Sequence, residues 1–314
     1  MKAFLRQCAF LLSLAGILIS FSASTSAAEI KVVTTFIPVY SWATGVAGDK
    51  AKVENLSDGS VGPHEFQLTP SSMRKLNNAD LIIGIGLELE PWLEAVKKNG
   101  VLSKETKIIF LGDLLDTKLL LKSEEEHEEH GHHEEHEHHH GEYDPHIWMD
   151  PILAQECVKQ LAAELGKLDE ENADTYSSNA AEYNKTLAQL DKDITSALKD
   201  AQLQPFFTKH DAFSYFDKRY HLNCAGILET IPDSDVSPRH IAKLLKKIRT
   251  EKVVAIMVPT KAQDQLVARL AKDGKLKIGE LETLETLDDG ELNVQTYERM
   301  LRANLKELLR VLKK

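Results

Sequence analysis

Cysteine is scarce in this sequence: its 314 residues include three, at positions 8, 157 and 224. None of them has the close spacing of a structural zinc site, and so few cysteines cannot form a disulfide scaffold. Cys8 lies in an N-terminal segment that we expect to be removed. Cys157 and Cys224 remain, and the sequence leaves open whether they pair or stay as buried free thiols.

The sequence also has no excess of basic residues. The chain has 38 Lys and Arg against 49 Asp and Glu, for a formal net charge of −11. Loss of Lys2 and Arg6 with the N-terminal segment would change −11 to −13. This balance gives no indication of a nucleic-acid partner and favours binding of a cation.

Long apolar runs are absent apart from Ala9–Phe21, which is shorter than the roughly 20 residues of a membrane-spanning helix. Lys2 and Arg6 precede this run, and Ser26-Ala27-Ala28 follows it as a small-residue cleavage site. Residues 1–28 are therefore predicted to be a secretory signal peptide, which places the mature protein in the periplasm. No cysteine directly follows the apolar run, so a lipid anchor is not expected.

The most unusual segment is 123–142, which consists only of Glu, His, Ser and Gly. Without apolar side chains it cannot offset the cost of ordering its backbone, so we expect a mobile surface loop. Its histidines are predicted to collect metal, with metal sensing or a solvated spacer as alternatives. They are His127, His130, His132, His133, His136, His138, His139 and His140.

The next segment, 143–151, has a different character. His146 lies between two Asp-Pro steps and is followed by Ile147, Trp148 and Met149. Asp-Pro steps stiffen the backbone and the apolar residues are expected to be buried, so His146 is predicted to be held rigidly.

Elsewhere, short β-branched or apolar runs alternate with segments of helical periodicity. The predicted strands are 31–39, 52–56, 81–86, 107–111, 205–209, 222–228, 253–258 and 277–282. The predicted helices are 41–48, 70–77, 91–98, 152–168, 172–203, 212–220, 238–250, 263–272 and 294–313. Such alternation is typical of parallel sheets, so the predicted fold class is α/β, with two similar lobes each formed by a parallel-type sheet flanked by helices.

The predicted helix 172–203 contains no Gly or Pro and would be about 45 Å long at 1.5 Å per residue. Because this exceeds what a small domain needs, we expect one long rigid helix to join the lobes. The predicted division is an N-terminal lobe at 29–168 that includes the His/Glu-rich loop, a linking helix at 169–203, and a C-terminal lobe at 204–314.

Three isolated histidines, His64, His146 and His210, each stand where a strand gives way to a loop or turn. Ligands bind at the carboxyl ends of strands in parallel sheets, and three imidazoles with a fourth open position are a common zinc arrangement. Each histidine also has a structural interpretation, as a turn residue, a partner of its own Asp-Pro turn, or a helix cap. His221 and His240 are interpreted as structural or surface residues.

Glu282, Glu65 and Asp211 are the candidates for an acidic fourth ligand, and their spacing does not separate them.

One motif is misleading. His136 to His140 fit the H-E-x-x-H pattern of zinc peptidases, but within a run of His and Glu such a match arises by chance. With no motif for a nucleophile or general base, an enzyme is not expected.

Three blocks occur in order and together resemble a known family. They are 61–70 (VGPHEFQLTP), 144–151 (DPHIWMDP) and 209–216 (KHDAFSYF). Behind a signal peptide, they look like the metal-binding solute-binding proteins of ABC importers, specifically the zinc-type, ZnuA-like members with a His-rich loop. The resemblance covers essentially all of 29–314 and implies two α/β lobes with metal bound in the cleft between them.

The resemblance implies that His64, His146 and His210 are the first three ligands, and histidine at the third position is typical of the zinc type. The family's acidic fourth ligand aligns with Glu282, and Glu65 is the alternative. The implied function is a monomeric periplasmic receptor that captures Zn²⁺ and delivers it to a membrane permease. The alternatives are a manganese or other divalent-metal receptor, an extracytoplasmic metal buffer and, last, a secreted zinc hydrolase.

Overall fold

The computed structural model describes residues 29–123, 141–229, 236–259, 264–287 and 291–314. Its strands are β1 (Ile30–Thr34), β2 (Ala51–Asn55), β3 (Leu81–Gly84), β4 (Lys107–Phe110), β5 (Phe206–His210), β6 (Cys224–Glu229), β7 (Ala255–Val258) and β8 (Lys277–Glu280). Its helices are α1 (Ile37–Ala47), α2 (Pro70–Asn77), α3 (Pro91–Asn99), α4 (Pro151–Leu168), α5 (Ala173–Leu198), α6 (Ser214–Tyr220), α7 (Pro238–Thr250), α8 (Gln265–Gly274) and α9 (Thr296–Leu312). The predicted signal peptide and the eight loop histidines lie outside the described residues.

The strands form two four-stranded sheets of the same topology. The first has the order β2-β1-β3-β4 and the second β6-β5-β7-β8, and every pairing is parallel. In each sheet the first strand of the lobe lies between the second and the third, so the two halves repeat one another in connectivity. This arrangement confirms the predicted α/β fold of two similar lobes.

The first predicted strand was too long. β1 ends at Thr34, and α1 begins at Ile37, so residues 37–39 are helical although their side chains are typical of a strand. Pro38 lies in the first turn of α1, where its fixed φ angle and missing N–H favour the start of a helix. The linking helix is also shorter than predicted, because α5 ends at Leu198 rather than near 203.

The start of α2 follows its local sequence. The Thr69 hydroxyl accepts a hydrogen bond from the Ser72 backbone, the Ser72 hydroxyl accepts one from the Thr69 backbone, and Pro70 occupies the first helical position. Such reciprocal capping fixes the first turn of a helix. It therefore fixes the end of the loop 56–69, which carries His64.

One hydrophobic core runs through both lobes. It includes Trp42 and Trp148 from the first half of the chain and Tyr297 from the last helix, together with residues of β1, β7, α4 and α5. Helix α5 packs against α1, α4, α6 and α9 and so contacts elements of both halves. Separating the lobes would expose this shared apolar surface, so a large hinge opening is disfavoured.

The two cysteines of the described chain are not paired. Cys157 is buried in α4, and Cys224, at the start of β6, is partly buried. The sequence left pairing open, and the structure has two free thiols.

Among the described helices, including the 26-residue α5, none combines the length and apolar character needed to cross a bilayer.

Candidate metal centre

Four side chains from four separate segments of the chain meet at one point. His64 lies in the loop after β2, His210 is the last residue of β5, and Glu285 lies in the loop after β8. His146 follows the Asp144-Pro145 turn and precedes a short 3₁₀ helix, Ile147–Met149. Each of the four offers one ligand atom, and these atoms all lie within 4.8 Å of one another. The structure therefore brings together the three histidines that the sequence singled out, with a carboxylate that it did not.

The carboxylate oxygen Oε1 of Glu285 is the common neighbour of the three imidazoles. It lies 3.1 Å from Nε2 of His64 and 3.7 Å from Nε2 of both His146 and His210. Nε2 of His64 and Nε2 of His146 are 3.4 Å apart. The side chains of His146, His210 and Glu285 are buried and that of His64 is 10% exposed, so the cluster is almost closed to water.

These separations match a tetrahedral cation site. Four ligand atoms at about 2.0–2.1 Å from a central Zn²⁺ would lie about 3.3–3.4 Å from one another. The four distances of 3.1–3.7 Å given above are close to that value, and all four ligand atoms lie within 4.8 Å of one another. Three imidazole nitrogens and one carboxylate oxygen are also a donor set that suits zinc.

Several polar atoms of the cluster lack hydrogen bonds. Both ring nitrogens of His210 and Oε1 of Glu285 are buried and make no hydrogen bond of good geometry within the described structure. Burying polar atoms without partners is costly, and a cation bound to Nε2 and Oε1 would compensate two of them. The unsatisfied atoms and the distances therefore both indicate a cation position between the four side chains.

Asp144 orients the second histidine. Its Oδ1 accepts a hydrogen bond from the backbone N–H of His146 at 2.9 Å and lies 2.6 Å from Nδ1 of the same residue. An ionised carboxylate accepts, so Nδ1 carries the proton in this contact and Nε2 is directed toward the cluster. A carboxylate behind a ligating histidine is a common way to fix the tautomer and orientation of the ring.

The charges of the cluster are coupled. Burial alone lowers the pKa of His146, but the carboxylates of Asp144 and Glu285 outweigh it and raise that pKa to about 10. Burial lowers the pKa of His210 more than Glu285 raises it, so His210 stays neutral. Burial raises the pKa of Glu285, yet His210, His146 and His64 together hold it well below its usual range. Without metal, the cluster thus contains an ionised Glu285 and a protonated His146.

We predict that binding of one Zn²⁺ at pH 7 releases about one proton. Coordination by Nε2 of His146 requires loss of the proton that a pKa of about 10 maintains there, while His210 is already neutral. Raising the pH favours the deprotonated ring, so zinc affinity should rise about tenfold per pH unit between pH 6 and 8. The proton count is obtained calorimetrically from binding heats in buffers of different ionisation enthalpy.

Asp144→Asn is the matched control for this prediction. It keeps the shape of the side chain but removes the charge that raises the pKa of His146, so fewer protons should be released. A count near zero for the wild-type chain, or a count that Asp144→Asn leaves unchanged, would contradict the assignment of the proton to His146.

The fourth position requires a correction. Glu282, the carboxylate implied by the family resemblance, is not a member of the cluster, and neither is its alternative Glu65. Strand β8 ends at Glu280, and the backbone N–H and carbonyl of Glu282 are bonded to the Asn304 side chain. The chain then turns through Leu284, whose φ of +65° is in the left-handed region, and this turn places Glu285 in the cluster.

The other carboxylate and histidine candidates have local roles. Asp211 accepts a hydrogen bond from the Ser214 hydroxyl at the start of α6. His221 caps the end of α6 in the left-handed conformation, and His240 contacts the carbonyl of Ile227 through Nε2 at 2.8 Å. None of these three belongs to the cluster, in agreement with the structural interpretation of both histidines.

The family model for the periplasmic component A of the zinc-uptake complex matches residues 32–311. The high-affinity zinc uptake system protein ZnuA of Bacillus subtilis is 34% identical over 270 residues, which cover 86% of this chain and 83% of that protein. The zinc-binding protein AdcA of Streptococcus pyogenes serotype M3 is 33% identical over 286 residues, covering 89% of this chain and 55% of AdcA. The chain thus spans about half the length of the AdcA proteins that it matches.

A solved structure extends this similarity to three dimensions. The Zn(II)-bound ZnuA-like domain of AdcA from Streptococcus pneumoniae superposes with a TM-score of 0.72 at 29% identity. The match covers 91% of this chain and all of that domain. The similarity therefore includes both sheets and the helices between them.

Proposed function

This chain belongs to the family of the periplasmic component A of zinc-uptake complexes, and on that premise we propose that it is a receptor that captures Zn²⁺ and delivers it to an ABC-type importer. The proposed site lies in the cleft between an N-terminal lobe at 29–168 and a C-terminal lobe at 204–314. Its ligands are His64, His146, His210 and Glu285.

The observation that carries this proposal is the close grouping of three imidazole nitrogens and one carboxylate oxygen in a largely buried position. Three nitrogen donors suit Zn²⁺ better than Mn²⁺, which prefers oxygen-rich sites of higher coordination number. A manganese receptor is therefore the second candidate. The catalytic alternative has less support, since the matched family model describes a component of a zinc-uptake complex.

The described ends of the His/Glu-rich segment lie close to this site. The backbone N–H of Ser123 donates to the carbonyl of Glu142, and Lys122 forms an antiparallel bridge with Tyr143. The Tyr215 hydroxyl accepts a hydrogen bond from the N–H of Leu121 and donates one to the carbonyl of Asp144. The segment thus leaves and rejoins the fold a few residues before His146. We propose that its histidines bind zinc weakly and raise the local concentration of zinc beside the cleft.

The remaining parts of the proposal concern location and partners. We propose that residues 1–28 direct secretion and are cleaved, that the mature protein acts in the periplasm as a monomer, and that its partner is a membrane permease. Without Lys2 and Arg6 the formal charge changes from −11 to −13. The acidic mature chain would attract cations to the site and gives no indication of a nucleic-acid partner.

The test is a calorimetric titration of metal-free 29–314 with Zn²⁺ and, separately, Mn²⁺. We expect one tight zinc site whose affinity changes by less than about threefold when residues 124–140 are deleted, because the four ligands lie outside that segment. Weaker additional binding should disappear with the deletion. In a matched control, the eight loop histidines are replaced with serine and residues 124–140 are kept.

The titration also distinguishes the zinc receptor from its two alternatives, a metal buffer and a manganese receptor. Loss of tight zinc binding in both the deletion and the serine variant would make the protein a metal buffer and refute the cleft site. Tighter binding of Mn²⁺ than of Zn²⁺ would favour the manganese receptor.

A further inference from the structure

The two carboxylate oxygens of Glu285 have different surroundings. Oε1 faces the Nε2 atoms of the three histidines at 3.1–3.7 Å and makes no hydrogen bond of good geometry. Oε2 accepts a hydrogen bond of 2.8 Å from the hydroxyl of Thr283, within a buried pair. One oxygen is therefore available to a cation, while the other is held by a neighbour two residues earlier in the chain.

Thr283 is itself held in place by the core. It is 4% exposed, and its carbonyl accepts a hydrogen bond of 2.7 Å from the indole Nε1 of Trp148. Trp148 is fully buried, and its own carbonyl accepts a 2.7 Å hydrogen bond from the Tyr297 hydroxyl. The backbone of Thr283 is thus anchored by residues from two distant parts of the chain, and its hydroxyl is bonded to Glu285.

The backbone between Thr283 and Glu285 is also specialised. Leu284 has a φ of +65°, although its side chain is fully buried. A non-glycine residue in the left-handed region is strained and persists where its surroundings enforce it. The turn brings the hydroxyl of Thr283 against Oε2 and directs Oε1 to the histidines.

We propose that Thr283 is a positioning residue for metal specificity, which holds Glu285 as a one-oxygen ligand. With Oε2 occupied by the hydroxyl, the site offers three nitrogens and one oxygen, the four-coordinate set that Zn²⁺ favours. A carboxylate free to bind through both oxygens would raise the coordination number and suit cations such as Mn²⁺ that prefer oxygen-rich, octahedral surroundings. This inference rests on the proposed function, because it assigns a role within the same site.

The experiment compares Thr283→Val, which keeps the shape and removes the hydroxyl, with Thr283→Ser, which keeps the hydroxyl. Affinities for Zn²⁺ and Mn²⁺ are measured on the metal-free 29–314 chain, and Co²⁺ serves as a spectroscopic probe. Four-coordinate Co²⁺ absorbs visible light much more strongly than five- or six-coordinate Co²⁺. In Thr283→Val we expect the ratio of zinc to manganese affinity to fall at least about tenfold, the lower range for loss of a group that orients a ligand. The Co²⁺ bands should weaken in this variant, and Thr283→Ser should resemble the wild type in both measurements.

Three outcomes would overturn the inference. The first is a Thr283→Val protein whose affinity ratio and Co²⁺ spectrum equal those of the wild type. The second is an equal change in Thr283→Val and Thr283→Ser, which would indicate a packing role. The third needs no variant: a wild-type Co²⁺ complex with the weak spectrum of five or six ligands would show that the site does not enforce four-coordination, which removes the role given to Thr283. Absence of tight zinc binding by the wild type would instead refute the proposed function.

Discussion

Replacing His210 with alanine is expected to lower the zinc affinity of this protein more than about 100-fold. His210 contributes one of the three imidazole nitrogens of the buried cluster and is neutral, so it is ready to bind a cation. Substituting a group that merely orients a ligand typically costs 10- to 100-fold in metal affinity, and removal of the ligand itself should cost more. The same loss is expected for His64→Ala and His146→Ala.

The measurement is a competition titration with a zinc chelator, supported by thermal unfolding with and without zinc. Because a ligand that binds only the folded state stabilises it by mass action, zinc should raise the unfolding temperature of the wild type more than that of His210→Ala. His221→Ala is the matched control, since His221 is an exposed histidine that caps α6 outside the cluster. Retention of zinc affinity within tenfold of the wild type in His210→Ala would contradict the site.

Replacing Glu285 with glutamine should lower zinc affinity at least about tenfold, whereas Glu282→Gln should change it by no more than about twofold. Glu285 is ionised and buried, with Oε1 within 3.7 Å of all three imidazoles, so its charge balances the bound cation. The amide keeps the shape of the side chain but is a poor zinc ligand and carries no charge. Glu282 lies outside the cluster, and substitutions remote from a site are usually worth within about 0.5 kcal/mol, or roughly twofold in affinity.

This pair of variants distinguishes the two assignments of the acidic ligand. The family resemblance implies Glu282 as the acidic ligand, with Glu65 as the alternative, whereas the structure groups Glu285 with the three histidines. A large effect of Glu282→Gln with little effect of Glu285→Gln would support the assignment to Glu282 and would also remove the basis for the role of Thr283. The substitution of Glu282 leaves its backbone hydrogen bonds to Asn304 in place, so the comparison does not depend on disrupting the turn.

Much of the fold was evident from local sequence. The Thr69-Pro70-Ser71 start of α2 and the predicted bounds of α7 agree with the structure, because capping residues and proline at the first helical turn act within one turn of the chain. The β-branched runs predicted the eight strands, whose parallel order confirms the repeated lobe. Local pattern failed at residues 37–39, where strand-like side chains begin α1 because Pro38 favours the helix.

The histidines of the site were likewise visible from the sequence, since each follows a strand or an Asp-Pro turn and parallel strands place such residues at one edge of a sheet. What the sequence by itself determined, then, is the two-lobed α/β fold and the three imidazoles. Only the tertiary structure decided which carboxylate joins them and how Thr283, its hydrogen-bond partner, is held. Those features depend on contacts between distant residues: the indole of Trp148 bonds to Thr283 135 positions away, and Glu285 meets imidazoles from three separate segments. Local propensity does not encode such contacts, because they form only when both lobes pack on their shared core.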